Sequence, residues 1–135
     1  MAKEINLDIK IKHLEFLQNI ITRMNSNSFY IKGWTITLVS AIFAISKEDS
    51  ISYSILFLGV PIFWSLDAFY LSREKQFRKL YELVSADSKN IEPFSLNIEE
   101  VEKKKINWFR CLFSITIGPI YMVIIAAIFL LKYYN

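Results

Sequence analysis

Among its 135 residues the chain has one cysteine, one histidine, three glycines and three prolines. A single cysteine, Cys111, excludes an internal disulfide and a cysteine-rich metal site. A single histidine, His13, leaves no pair of ligands at metal spacing; it falls in a polar helical stretch and is expected at the surface. Three scattered glycines make no loop that cradles phosphate, and no nucleophile motif is present. No catalytic residue, metal or cofactor is therefore expected, and the chain does not read as an enzyme. No repeat or low-complexity tract occurs. The N-terminus is polar and mixed in charge, so no signal peptide is expected.

What the chain has is apolar length and segregated charge. It is 53% hydrophobic and 21% charged, with a formal net charge of +3. The apolar residues gather in three runs, 29–45, 51–71 and 111–131. Sixteen Lys and Arg are present. If each run crosses a membrane, five of them (Lys3 to Lys32) and nine more (Arg73 to Arg110) fall on one side. Only Lys47 and Lys132 fall on the other. Basic residues resist translocation, so the basic side is expected in the cytoplasm. The fold expected is an all-α, polytopic membrane protein of one domain, three transmembrane helices extended by a cytoplasmic helical layer.

Along the chain, residues 1–8 read as a loose tail. Residues 9–28 read as a cytoplasmic amphipathic helix with Leu14, Leu17, Ile21 and Met24 on one stripe. Asn25, Ser26, Asn27 and Ser28 break the pattern, and Ser28 suits the N-cap of the first span at 29–46. The second span, 51–71, runs without a stop signal into a polar extension carrying Phe77, Leu80, Tyr81 and Val84, which predicts one helix from about 51 to 85. Residues 72–107 form the cytoplasmic helical region. Within it Asn97 and Glu100 make a capping box, and Leu96 and Val101 a hydrophobic staple. The third span is expected over 108–134. Pro61 in the second span and Gly118-Pro119 in the third are candidate hinges.

Some polar residues sit where apolar ones are cheaper. Asp67 is the one carboxylate inside a run. Measured from the turn near residue 48, Lys32 and Asp67 differ in depth by only roughly 3 Å at the helical rise. Three readings stand for the two: markers of the span's inner end, an ion pair within or between subunits, or a gate on an ion path. Gly33, Thr37, Ser40 and Ala41 are candidates for helix packing or pore lining. Arg73, Lys75, Arg78 and Lys79 follow the second span, and Lys103, Lys104 and Lys105 precede the third. Such groups attract anionic lipid, and they are also candidates to bind a nucleotide or single-stranded oligonucleotide. Phe77, Tyr81 and Phe94 fit either base stacking or helix packing.

The stretches NSFYIKGWTITLVSAIFAIS and FWSLDAFYLSREKQFRKLYELV resemble small bacterial membrane proteins of anti-phage defence modules. The arrangement over residues 14–85 is similar to the two-span effectors of nucleotide-signalling systems, the membrane effector of the Hailong system in particular. A third apolar run has no counterpart in that two-span pattern. The resemblance implies a homo-oligomeric channel in the bacterial inner membrane, gated by a cytoplasmic nucleotide signal from a soluble signalling enzyme. Independently of the resemblance, three crossings with the basic side in the cytoplasm would put the N-terminus inside and the C-terminus outside. Two other expectations stand beside it. One is a non-conducting membrane anchor or accessory subunit that scaffolds a soluble partner. The other is a small transporter, for which the spans supply one acidic residue and no repeat.

Overall fold

The computed structural model describes residues 2–45, 50–87, 91–98 and 106–134. Its elements are α1 (Ala2–Ile45), α2 (Ser50–Ser85), α3 (Trp108–Leu112) and α4 (Gly118–Tyr134). No strand occurs among the described residues. Two of the helices, α1 and α2, are long and apolar enough to cross a membrane; α4 is apolar but shorter.

α1 has 44 residues and α2 has 36, lengths of about 66 and 54 Å at 1.5 Å per residue. Both exceed a hydrocarbon core of about 30 Å, so each joins an apolar half to a charged half. They pack as an antiparallel hairpin, the most extensive contact in the molecule. On α1 the seam follows His13, Leu17, Ile21, Ser28 and Thr35; on α2 it follows Tyr53, Leu56, Val60, Asp67, Leu71, Leu80 and Val84. Spacings of three, four and seven keep the α1 residues, and the α2 residues up to Leu71, on one face of each helix; the nine-residue step from Leu71 to Leu80 carries the buried stripe about half a turn round α2. Two apolar clusters result. Leu17, Leu80 and Val84 hold the charged end, and Tyr53, Leu56, Val60, Ile117, Tyr121 and Ile128 hold the apolar end.

The α2 expectation matches the observed helix, which runs through Pro61 without a break. Three other expectations are corrected. Residues 2–8 are helical rather than a loose tail, and the helix expected at 9–28 and the span expected at 29–46 are not separate, since residues 9–45 all lie within α1. Ser28 is therefore not an N-cap. Serine weakens helices when its hydroxyl competes for backbone groups, and here the hydroxyl is turned to Asp67.

The third apolar run is also not one helix. It breaks over 113–117 and restarts at Gly118. Pro119 has no N–H for the carbonyl four residues back, and its ring disfavours helical geometry just before it. Placed in the first turn of α4, it costs nothing. Gly118-Pro119 thus begins a helix instead of kinking one. Turn bonds bridge the break, with the Gly118 N–H donating to Ser114 O at 2.8 Å. Trp64 Nε1 donates to the freed Leu112 carbonyl at 2.9 Å, and Trp108 Nε1 to Ser65 O at 3.0 Å, tying the segment to α2.

His13, expected at the surface, is buried. Its Nε2 donates to Ser95 O at 3.0 Å, and its ring lies 5.9 Å from that of Phe94. The α2 C-terminus is closed by Lys10, whose ammonium meets Ser85 O at 3.0 Å and Asp87 Oδ2 at 2.7 Å. Glu100 and Val101, which would complete the capping box with Asn97 and the staple with Leu96, lie outside the described residues.

Candidate functional site: a buried polar cluster in the helix seam

Ser28 and Lys32 stand one turn apart on α1, so both side chains reach the same face. Opposite them on α2 is Asp67, fully buried. The Ser28 hydroxyl donates to Asp67 Oδ1. The Lys32 ammonium donates to the same oxygen at 2.9 Å and to Ser28 Oγ at 2.8 Å. It also lies 2.8 Å from Oδ2, a contact that is ionic without hydrogen-bond alignment. The lysine stem runs along the helix and its head enters the seam.

Two hydroxyls complete the cluster. Thr35 Oγ1 is tied to Ile31 O at 2.7 Å. The Tyr121 hydroxyl, brought in by α4, lies close enough to Thr35 and Asp67 to interact with both, yet it meets hydrogen-bond geometry with neither. Its ring is fixed by Trp64, stacked at 5.8 Å and 8°. A carboxylate buried this deeply is tolerable only when paired, and removing one partner of such a pair costs about 3–5 kcal/mol. The arrangement holds α1 and α2 in one register through a few charged contacts. It can act as a latch, because a small slide of α1 against α2 separates all of them together.

Beside the cluster a groove of about 480 Å³ opens between α1, α2 and the start of α4. Lys32, Lys75 and Arg78 line it together with Glu74, Phe29, Leu71 and Ile120. Arg78 Nε is held by Glu74 at 2.8 Å. Lys75 is half-buried and has no hydrogen-bond or ion-pair partner among the described residues.

The other anticipated basic residues do not converge here. Arg73 donates to Gln76 at 3.2 Å and lies 5.2 Å over the Phe69 ring. Lys79 pairs with Glu82 at 2.7 Å. Lys103, Lys104 and Lys105 lie outside the described residues. Phe77 and Tyr81 pack against the charged-end cluster rather than beside the cations. Gly33, Thr37, Ser40 and Ala41 are exposed on the outer face of α1. A Cβ at Gly33 would meet nothing within 4 Å, and Thr37 Oγ1 bonds its own helix at Gly33 O, 3.0 Å. Pro61 is exposed as well.

No protein-family model, curated protein or solved structure matches this chain.

No motif marks Ser28 or Tyr121 as part of a site, and Thr35 stands out in the sequence only as one of several span hydroxyls that could line a pore. A signal existed for each. Continuing the Leu17–Ile21–Met24 stripe by four and then seven residues lands on Ser28 and Thr35. Tyr121 is the one hydroxyl-bearing residue on the buried stripe of Ile117, just before α4, and Tyr121 and Ile128 within it.

Proposed function

We propose that the chain is a polytopic membrane protein that assembles as a homo-oligomer and works as a ligand-gated pore. In this reading it is a membrane effector of bacterial anti-phage defence, controlled by a cytoplasmic nucleotide or oligonucleotide. The observation that carries the gating reading is the Ser28–Lys32–Asp67 cluster, a charged latch set into the seam of two apolar helices. Ionisable groups at such depth are expensive and mark sites where conformation or ion passage is controlled. The defence setting rests on the resemblance over residues 14–85.

Membrane insertion draws support from the helix surfaces. Of the apolar windows in α1 and α2, only 11% and 28% is buried within the subunit. Large apolar side chains such as Ile36, Leu38, Leu58 and Ile62 face outward. Exposed apolar surface of that extent marks contact with lipid or with another chain. α3 and α4 together would supply the third span, with the charged ends of α1 and α2 in the cytoplasm of a bacterial inner membrane. The small residues on the outer face of α1 are exposed, which suits contact with another copy. Three spans seldom enclose a pore, so conduction would require several copies.

The test is reconstitution into liposomes with an ion-flux readout, beside the mass of the detergent-solubilised particle. An oligomer that conducts, and whose flux changes in Lys32→Met and Asp67→Asn, is the expected result. Unchanged flux in both variants, with normal assembly, would overturn the gating role. A non-conducting particle that purifies with one stoichiometric soluble protein would favour the anchor reading. That reading has its own observation in the well-packed charged end, where α1, α2 and residues 91–98 share an apolar cluster.

A further inference from the structure

The groove beside the latch changes character along its length. Phe29, Leu71 and Ile120 form its apolar part, and Lys75 and Arg78 follow Leu71 by one and two turns of α2, a shift of about 6 to 10 Å along the helix axis. Leu71 is also the last residue of the second apolar run. The groove therefore straddles the level at which α2 passes from apolar to charged, the depth at which a bilayer places its phosphates. An occupant that suits both ends must itself be amphiphilic.

Charge narrows the choice. Three cations, Lys32, Lys75 and Arg78, face the lining carboxylate of Glu74 and the buried carboxylate of Asp67. One positive charge is left over. The side chain that carries it is Lys75, the lining cation with no partner among the described residues. Arg78 spends only Nε on Glu74, so its two terminal nitrogens keep their donors for an incoming oxygen. A phosphodiester monoanion neutralises that surplus and accepts from both side chains. The Thr116 hydroxyl, also in the lining, adds a polar contact at the mouth.

We propose that this groove binds the phosphodiester of an anionic membrane phospholipid, with Lys75 and Arg78 on the phosphate and an acyl chain along Phe29, Leu71 and Ile120. Lys32 lines the same groove while holding Asp67, so lipid phosphate and latch share one cation. A bound lipid would compete with Asp67 for it and weaken the latch. The proposal rests on this end of the hairpin lying at a membrane surface, and goes beyond the pore reading.

The experiment is native mass spectrometry of the full chain in mild detergent, titrated with phosphatidylglycerol or with phosphatidylcholine. Expected is preferential retention of phosphatidylglycerol, reduced about fivefold for each charge removed in Lys75→Gln/Arg78→Gln. A matched variant, Lys12→Gln/Arg23→Gln, removes two exposed cations elsewhere on α1 and should retain the lipid. Equal retention of both lipids, or equal loss in both double variants, overturns the proposal. If glycerol phosphate displaces the lipid at comparable concentration, free phosphate is the ligand and the acyl chain contributes nothing, which also overturns it. Binding of a short oligonucleotide that depends on Lys75 and Arg78, with lipid binding that does not, would assign the groove to a soluble signal. Lipid retention needs no conduction, so a non-conducting protein that still selects phosphatidylglycerol would sink the pore and keep the groove.

Discussion

Lys32 and Asp67 meet at 2.8 Å across the α1–α2 seam, the lysine partly exposed and the aspartate fully buried. The asymmetry determines how each behaves when the other is removed. In Lys32→Met the carboxylate stays in the seam with Ser28 and no counter-charge. In Asp67→Asn the lysine head swings out to the groove.

Lys32→Met should therefore cost more stability than Asp67→Asn, about 3–5 kcal/mol for the first. The double variant Lys32→Met/Asp67→Leu should recover most of that loss, because an apolar pair of similar volume carries no desolvation penalty. Unfolding by SDS, followed by helical circular dichroism, gives the stabilities of the unaltered chain, the two single variants and the double variant. Equal costs for the two single variants would mean that Asp67 is solvated through a path the static packing does not show.

Tyr121 separates ring from hydroxyl. The hydroxyl is buried without a hydrogen bond of its own, whereas the ring is stacked on Trp64. Tyr121→Phe should change stability by no more than about 1 kcal/mol, since an unsatisfied group is removed rather than a bond. Tyr121→Ala should cost about 3–5 kcal/mol through the cavity left against Trp64. A large loss in the phenylalanine variant would show that the hydroxyl serves the Asp67 carboxylate directly.

Gly33 tests assembly apart from folding. Space at its Cβ position is open within the subunit, and leucine favours helix over glycine by up to about 1 kcal/mol. Gly33→Leu should leave the helix content and monomer stability intact or raised. If the outer face of α1 packs on another copy, the particle mass in detergent should fall. Light scattering behind a sizing column measures it, and an unchanged oligomer would remove this face from the interface.

His13 anchors the segment 91–98 to α1. Its Nε2 must carry the proton, because a carbonyl only accepts. Phe94 beside it holds φ at 61°, a region that bulky side chains avoid unless neighbours enforce it. His13→Ala should raise hydrogen exchange across 91–98 about 2- to 10-fold, the equivalent of one lost hydrogen bond, and leave the apolar halves of α1 and α2 unaffected.

Helix periodicity and charge placement settled the all-helical class, the two apolar halves, and the run of α2 from its apolar start to its polar end. These depend on neighbours within a few turns, which sequence spacing reports. Where the reading of local signals went astray, a distant residue had overruled them. The four polar residues at 25–28 look like a helix start, yet Asp67, thirty-nine residues away, takes the Ser28 hydroxyl and the helix continues. His13 looks like a surface residue until Ser95 and Phe94 close over it. Lys75 and Arg78 read as part of a general basic patch, and only the approach of α4 turns them into a lined groove while Arg73 and Lys79 find partners of their own. The sequence by itself determined which residues share a helix face and how far along the helix each lies. The tertiary structure decided which face meets which, because the register of a long hairpin is set by packing summed along its whole seam, a quantity no local window contains.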